Sequence, residues 1–211
     1  MRSLLTAVPL RCIAGSEGGL KMETKNIMIV GVGGQGSLLA SKLLGHLLLS
    51  QVYDVKVSEV HGMSQRGGSV VTYVRYGDQV YSPVIDEGEA DFIVSFEALE
   101  AARHLPYLKE DGIIVTNTQQ IDPMPVITGV AEEPHEVLEK MTAEGIFVDA
   151  IDALSLALEA GNAKSVNIVL MGRLSNYFDI PEQKWLTAIE NTVKPALVDI
   201  NVKAFMLGRG E

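Results

Sequence analysis

Near its start, this 211-residue chain has a strand-like run that ends in a glycine-rich turn and leads directly into a helix, and few folds accommodate this order of elements. Residues 26–30 are apolar and rich in isoleucine and valine, which predicts a buried strand. Ser37–Ser50 carries leucines four residues apart, which predicts a helix with one apolar face. A strand, a glycine turn and a helix in this order open a βαβ unit.

Strand and helix patterns continue to alternate along the chain. Further strands are predicted at residues 54–60, 69–76, 90–95, 112–116 and 146–149, with an edge element at 125–130. The Gly77-Asp78 pair predicts a tight hairpin turn between Tyr76 and Val80. Helices are predicted at 96–104, 133–143, 151–160, 163–177, 181–191 and from 195 onward. The predicted fold is an α/β, three-layer α/β/α Rossmann-like sandwich with a mostly parallel sheet, a β-hairpin and a helical C-terminal section.

The first motif with chemical meaning is the turn itself, Gly31-Val32-Gly33-Gly34-Gln35-Gly36. It fits the G-x-G-x-x-G pattern, in which backbone N–H groups and the helix dipole face a phosphate. Glu59 follows at the end of the second predicted strand, where a dinucleotide fold places its ribose-binding acid. Taken alone, this motif suggests NAD. The alternative is that the glycines only permit tight packing, and the Gly33-Gly34 pair and Gln35 depart from the commonest dinucleotide fingerprint.

The second motif directly follows the second predicted strand and reads His61-Gly62-Met63-Ser64-Gln65-Arg66-Gly67-Gly68-Ser69. In a doubly wound sheet it would emerge at the same carboxyl edge as the first motif, so the two are expected to converge on one crevice. Arg66 could pair with a phosphate or carboxylate, and His61, Ser64 and Gln65 add hydrogen-bond donors. Two other interpretations remain open: a subunit interface, in which Arg66 makes an intersubunit ion pair, and a plain surface turn.

Charge and composition exclude several kinds of partner and cofactor. A formal net charge of -10 argues against nucleic acid, which requires a basic face. Cys12 is the single cysteine, so the chain cannot supply the thiolates of an iron–sulfur cluster. The four histidines lack the spacing of zinc ligands, and no metal site is predicted. The apolar stretches are shorter than the roughly 20 residues of a membrane span, so no membrane association is expected.

Residues 1–21 need a separate interpretation. Arg2 and a short apolar run faintly resemble a signal peptide, but Arg11 interrupts that run. We expect a dispensable or poorly ordered leader, followed by a single domain over residues 22–211.

Four residues outside the two motifs have predicted structural roles. Asn167 is expected to be a satisfied core or helix-packing residue, and Gly172 to permit close contact between helices. Asp152 is expected to cap a helix N-terminus. Trp185 is expected to anchor a core or an interface.

Together the two motifs resemble the gamma-type domain of the pyruvate/2-oxoacid:ferredoxin oxidoreductases. The His-Gly-Met-Ser-Gln-Arg-Gly-Gly version is most similar to the indolepyruvate type, whereas the pyruvate and 2-oxoglutarate types more often carry a tyrosine and an acid in this loop. The resemblance extends to Ser82-Pro83 and to the segment with Asn167, Leu170 and Gly172. It covers roughly residues 25 to 205.

The resemblance implies an oxidoreductase subunit that is inactive alone and belongs to a cytoplasmic complex. The complex would convert a 2-oxoacid (indolepyruvate or another arylpyruvate), coenzyme A and oxidised ferredoxin to an acyl-CoA, CO2 and reduced ferredoxin. Thiamine diphosphate, Mg and the 4Fe-4S clusters would be held by a large partner subunit. Contacts with CoA or substrate are assigned by hypothesis to Gly31, Gly33, Gly34, Gln35, Gly36, His61, Ser64, Gln65, Arg66 and Gly67. The alternatives are a stand-alone NAD- or FAD-binding dehydrogenase and an assembly subunit without ligand contacts.

Overall fold

The computed structural model describes residues 22–61, 68–122, 124–130, 132 and 134–210. The predicted leader at residues 1–21 lies outside this part of the chain and stays a prediction. The strands are β1 (Lys25–Val32), β2 (Asp54–His61), β3 (Ser69–Gly77), β4 (Ala90–Ser95), β5 (Leu108–Asn117) and β6 (Phe147–Ile151). The α-helices are α1 (Ser37–Ser50), α2 (Ala98–Arg103), α3 (Met124–Ile127), α4 (Val137–Ala143), α5 (Ala153–Ala160), α6 (Val166–Ser175), α7 (Glu182–Thr192) and α8 (Val198–Arg209).

The six strands form one sheet in the order β2-β3-β1-β4-β5-β6. β1, β4, β5 and β6 pair in parallel, whereas β3 runs antiparallel to both of its neighbours, β1 and β2. β2 therefore points the same way as β1, and five of these six strands have their carboxyl ends at the same edge of the sheet. The mostly parallel sheet predicted from the sequence is confirmed.

Two apolar layers cover the two faces of the sheet. On one face, α1 and the C-terminal helices α5 to α8 enclose a large core that includes Leu43, Leu47, Phe205 and the fully buried Trp185. On the other face, α2 and α4 pack over a smaller core that contains Ala101 and Met141. The three-layer α/β/α architecture and the core position of Trp185 are therefore confirmed.

The hairpin predicted at Gly77-Asp78 is wrong. Residues 78–89, all of them described, form no strand. The N–H group of Val80, which a strand would use for pairing, donates instead to Asp54 Oδ2 at 2.8 Å. Gly77 has no left-handed backbone; a Cβ there would lie 3.2 Å from the Cα of Thr24, so the glycine permits close packing. The predicted antiparallel pair is confirmed at another place, because β2 and β3, which are consecutive in the chain, pair antiparallel on either side of the second motif.

The edge element predicted at residues 125–130 is also wrong, because this segment contains the short helix α3. Pro125 is compatible with the first turn of a helix, where its fixed φ is favourable and its missing N–H is not needed. The backbone N–H of Thr128 donates to the carbonyl oxygen of Met124 at 2.9 Å, which closes a helical turn. Of the helix predicted at 133–143, Val137–Ala143 forms α4, whereas the described residues 134–136 are not helical.

Candidate functional site

The ends of β1 and β4 mark the point where the chain switches from one face of the sheet to the other. β1 and β4 are adjacent and parallel. Helix α1, which follows β1, packs on the face of the larger core, and α2, which follows β4, packs on the opposite face. In open α/β sheets the crevice at such a switch point, outside the carboxyl ends of the strands, is where ligands bind. Both predicted motifs reach this edge.

Gly31, the first glycine of the first motif, lies near the end of β1, where packing leaves no room for a side chain. Gly31 is buried, and a Cβ there would lie 2.8 Å from the ring of Phe96 and 2.5 Å from Gln35 Oε1. Phe96 directly follows β4, and its N–H donates to the carbonyl oxygen of Val30 at 2.9 Å. The end of β1 and the segment that follows β4 are therefore held together at the switch point.

The remaining residues of the first motif shape the entry into α1. Gly34 and Gly36 have φ values of +99° and +89°, in the left-handed region that side chains disfavour. Gln35 Oε1 accepts a hydrogen bond from the N–H of Val32 at 2.8 Å, which closes the turn from inside. Gly36 is the N-cap of α1 and has no side chain to cap it. The first turn of α1 is therefore a suitable place for an anionic group.

The two motifs meet through a backbone hydrogen bond. The N–H of Gly33 donates to the carbonyl oxygen of Gly68 at 3.0 Å. The predicted convergence of the motifs at one edge is therefore a feature of the structure. Part of the second motif lies outside the described residues, namely Ser64, Gln65, Arg66 and Gly67 among the predicted site residues. Of His61, only the backbone at the end of β2 is described.

Two buried carboxylates, which were not among the predicted site residues, lie on and just before α2, and one of them holds the end of the second motif. Ser69 Oγ donates to Glu100 Oε2 at 2.5 Å, and only 3% of Glu100 is exposed. Arg103 Nε lies 3.3 Å from the other carboxylate oxygen of Glu100. The start of β3, directly after the second motif, is thus held by a charge-assisted hydrogen bond.

Glu97 is the second buried carboxylate. It caps α2 by accepting hydrogen bonds from the N–H groups of Glu100 and Leu99, and it also accepts from Ile121. Burial raises the pKa of Glu97 above its ordinary value; these three backbone donors lower it again in part, and the nearby Glu100 adds to the increase. The Glu-Ala-Leu-Glu sequence at the strand-to-helix boundary was the signal that could have identified this pair.

Two asparagines connect this edge of the sheet to its surroundings. Asn117, at the end of β5, donates to the carbonyl oxygen of Phe96 at 3.2 Å and accepts from the N–H of Ala153 at 3.1 Å. Asn167, on α6, donates to the carbonyl oxygen of Gly36 at 3.1 Å. Asn167 is 2% exposed, so its prediction as a satisfied core residue is confirmed.

The structure does not support the dinucleotide interpretation of Glu59. In a dinucleotide fold the ribose-binding acid follows a strand adjacent to β1, but here β3 lies between β1 and β2. Glu59 is therefore two strand spacings, about 10 Å, from the strand that carries the glycine turn. In register it pairs with Thr72 of β3.

Asp152 has the predicted role, because its carboxylate accepts a hydrogen bond from the N–H of Ser155 at 3.0 Å and so caps α5.

Within the described part of the chain, no three His, Cys, Asp or Glu side chains are grouped so that they could hold a metal ion. Among those same residues, the helices are too short or too polar to cross a membrane.

Comparison with known proteins gives consistent results. The family model of pyruvate ferredoxin/flavodoxin oxidoreductase matches residues 26–211. The indolepyruvate oxidoreductase subunit IorB of Thermococcus kodakarensis is 46% identical over 193 residues, which span 89% of this chain and 95% of that protein.

Two solved structures show the same fold. One is the pyruvate oxidoreductase subunit PORC of Thermotoga maritima, with a TM-score of 0.68, 22% identity and coverage of 91% of this chain and 97% of that one. The other is the 2-oxoglutarate:ferredoxin oxidoreductase of Magnetococcus marinus, with a TM-score of 0.70, 20% identity and coverage of 91% of this chain but 31% of that one. With the family match over nearly the whole described chain, the two glycine-rich loops that meet at the switch point identify this protein as a member of the pyruvate ferredoxin/flavodoxin oxidoreductase family.

Proposed function

We propose that the chain is the small, cluster-free subunit of a cytoplasmic 2-oxoacid:ferredoxin oxidoreductase of the indolepyruvate (arylpyruvate) type. The complex would oxidatively decarboxylate the 2-oxoacid with coenzyme A, releasing acyl-CoA and CO2 and passing electrons to ferredoxin. The observation that carries the proposal is the hydrogen bond from Gly33 to Gly68, which joins the two glycine-rich loops in a chain 46% identical to an indolepyruvate oxidoreductase subunit.

The single cysteine supports a division of labour between subunits. One thiolate cannot hold a 4Fe-4S cluster, which usually takes four. The clusters are therefore assigned to a large partner subunit, and the family resemblance implies that the same subunit holds thiamine diphosphate and Mg. This chain contributes the crevice at the carboxyl edge, and the complex, rather than the isolated chain, is the enzyme.

Coenzyme A is the proposed ligand of the two loops. Its phosphates are anionic, and the uncapped first turn of α1 offers them backbone N–H groups and the positive end of the helix dipole. Arg66, in the loop between β2 and β3, is assigned the role of a second anion partner. The Magnetococcus protein of this fold was solved with 2-oxoglutarate, coenzyme A and succinyl-CoA bound, which supports the choice of ligand.

The roles proposed for individual residues follow from this arrangement. Gly33 and Gly34 would allow close approach of the backbone to the ligand. Gly31 and Gly36 would shape the turn, because Phe96 and Asn167 occupy the space of their missing side chains, and Gln35 holds the turn through Val32. The side chains of His61, Ser64, Gln65 and Arg66 and the backbone at Gly67 would complete the site from the second loop.

Reconstitution tests the proposal. The large subunit is purified alone and assayed for 2-oxoacid-dependent, CoA-dependent ferredoxin reduction with and without this chain. We expect turnover only with both subunits present. Full activity of the large subunit alone would overturn the proposal.

A substitution distinguishes ligand binding from assembly. In the reconstituted complex, Arg66→Ala should raise the KM for coenzyme A at least tenfold. Arg66→Lys keeps the positive charge and should raise the KM less than Arg66→Ala does. Lys184→Ala, which removes an exposed cation from α7, is the control and should leave the KM unchanged. An intact Arg66→Ala complex with wild-type kinetics would instead indicate an assembly role for this loop.

Binding of NAD by the isolated chain, measured by calorimetry, would favour the dehydrogenase alternative.

A further inference from the structure

An exposed apolar segment follows β5. We call the described residues within 121–130, including α3, the apolar arm. It carries four large hydrophobic side chains with substantial exposure: Ile121 at 37%, Met124 at 66%, Ile127 at 65% and Val130 at 83%. These four residues belong to neither of the two hydrophobic cores. Four exposed apolar side chains within ten residues indicate a surface that is covered by a partner.

The apolar arm begins beside the candidate site. Gln119, just before it, accepts a hydrogen bond through its carbonyl oxygen from the N–H of Ala98 at 2.9 Å. The N–H of Ile121 donates to Glu97 Oε2 at 3.4 Å. Both contacts tie the root of the arm to the segment that follows Phe96, whose ring packs against Gly31. A protein that covers the arm is therefore placed next to the glycine-rich loops.

Two further exposed hydrophobic residues lie at the same edge of the sheet. Leu38, in the first turn of α1, is 52% exposed, and Val60, near the end of β2, is 53% exposed. They flank the first and second motifs. Exposed apolar side chains are therefore also present next to each of the two motifs.

The charge around the arm restricts the chemistry of its partner. Between residues 122 and 144 the sequence has six carboxylates and one lysine; the carboxylates are Asp122, Glu132, Glu133, Glu136, Glu139 and Glu144, and the lysine is Lys140. Such a segment repels other acidic surfaces. A second copy of this chain, with net charge -10, is therefore a poor partner. A partner pocket that is apolar and bordered by lysine and arginine side chains complements both the hydrophobic side chains of the arm and the carboxylates around it.

We propose that the apolar arm docks in an apolar, basic-rimmed pocket of the large oxidoreductase subunit, directly beside the glycine-rich loops. This inference rests on the proposed function, since it takes the large subunit as the occupant. The Magnetococcus chain is consistent with it: the same fold makes up about a third of a longer polypeptide there. Where this fold forms a separate subunit, as in the Thermococcus relative of which the match covers 95%, it needs a non-covalent surface to associate with its partner.

The test measures the affinity of the full-length chain for the purified large subunit. The double variant Met124→Ser with Ile127→Ser should weaken binding at least tenfold. Its circular dichroism spectrum and Tm should match the wild type, because both side chains are exposed. The control Leu158→Ser removes a 59% exposed leucine near the end of α5 and should leave the affinity unchanged.

A charge variant tests the rim separately. Asp122→Asn with Glu132→Gln should lower affinity at low salt and flatten the dependence of affinity on NaCl concentration, because salt screens exposed charges. Glu159→Gln, an exposed carboxylate of α5, is the matched control and should change neither quantity.

The outcomes separate the two proposals. Failure of the wild-type chain to bind the large subunit would overturn the proposed function itself. Wild-type binding that the apolar double variant retains in full would overturn only the docking of the arm. An isolated chain that is dimeric, and that the double variant makes monomeric without loss of affinity for the large subunit, would assign the arm to self-association and also overturn the inference.

Discussion

Asn167 and Gly36, 131 positions apart in the chain, are joined by a hydrogen bond of 3.1 Å from the side-chain amide of Asn167 to the carbonyl oxygen of Gly36. Gly36 is the N-cap of α1, and Asn167 lies in the first turn of α6. A Cβ at position 36 would lie 2.7 Å from Asn167 Nδ2, so the absence of a side chain at Gly36 makes this contact possible. The glycine-rich turn is thus held by the C-terminal helices as well as by its own residues.

Asn167→Ala should lower the free energy of unfolding by about 1–2 kcal/mol, because it removes a buried hydrogen bond and leaves a small cavity. Urea denaturation measures the change. Asn176→Ala is the matched control: its amide also donates to a backbone carbonyl oxygen, that of Arg209, at 3.1 Å, but Asn176 is exposed. Equal losses in the two variants would contradict a special role for Asn167.

Gly172 and Gly208 bring α6 and α8 into backbone contact. A Cβ at Gly172 would lie 2.1 Å from the carbonyl oxygen of Phe205, and a Cβ at Gly208 would lie 2.0 Å from that of Val169. Each alanine substitution should therefore cost about 3 kcal/mol of stability or more, because the helices must move apart. Thermal unfolding checks this.

Gly45→Ala is the control for these two substitutions. Gly45 lies inside α1, and a Cβ there would meet no atom within 4 Å apart from those of its own helical turns. Since glycine is a poor residue in a helix interior, this variant should be more stable than the wild type by about 0.5–1 kcal/mol. A loss of stability in Gly45→Ala would contradict the conclusion that close contacts require glycine at positions 172 and 208 but not at position 45.

Glu97 should make stability depend on pH in a defined direction. Because burial raises its folded pKa above the ordinary 4.5, the folded state binds more protons than the unfolded state between the two values. The stability that Glu97 contributes is full below pH 4.5 and is lost as the pH rises through the folded pKa. Measured against Glu97→Gln, the wild type should therefore lose stability as the pH rises through this window.

Asp152 provides a comparison of opposite sign. Its pKa is lowered by hydrogen bonds from the hydroxyl and then the N–H of Ser155, so its contribution is present above the ordinary value of 3.8 and is lost as the pH falls. Unfolding curves of Glu97→Gln and Asp152→Asn across pH should therefore diverge from the wild type in opposite directions. Parallel curves would rule out this account of Glu97.

Ser69→Ala should loosen the second glycine-rich loop. It removes the hydrogen bond to the buried Glu100, and such bonds to charged groups contribute about 1.5–3 kcal/mol. We expect a loss of that size in urea denaturation and, in the reconstituted complex, a raised KM for coenzyme A. Ser69→Thr keeps the hydroxyl and should restore both. Ser82→Ala, whose hydroxyl accepts a hydrogen bond in an exposed loop, is the control for stability.

Local sequence patterns predicted most of the elements correctly, because those elements depend on neighbouring residues. Apolar periodicity located α1 at Ser37–Ser50 and β4 at Ala90–Ser95 with the bounds that the structure shows. The same reasoning failed at Gly77-Asp78 and at residues 125–130. The first of these failed because the deciding contact is distant: Asp54 takes the N–H of Val80.

The α/β class, the helical C-terminal section and the family were all predictable from the residues alone, since they follow from periodicity and from two motifs that can be read directly. Packing between distant segments, in contrast, places β3 between β1 and β2 and so separates Glu59 from the glycine turn. The same packing brings Glu100 and Asn167 against the two glycine-rich motifs and buries Glu97 at the start of α2. Strand order and long-range hydrogen bonds arise from packing among distant segments, and no local pattern of residues encodes them.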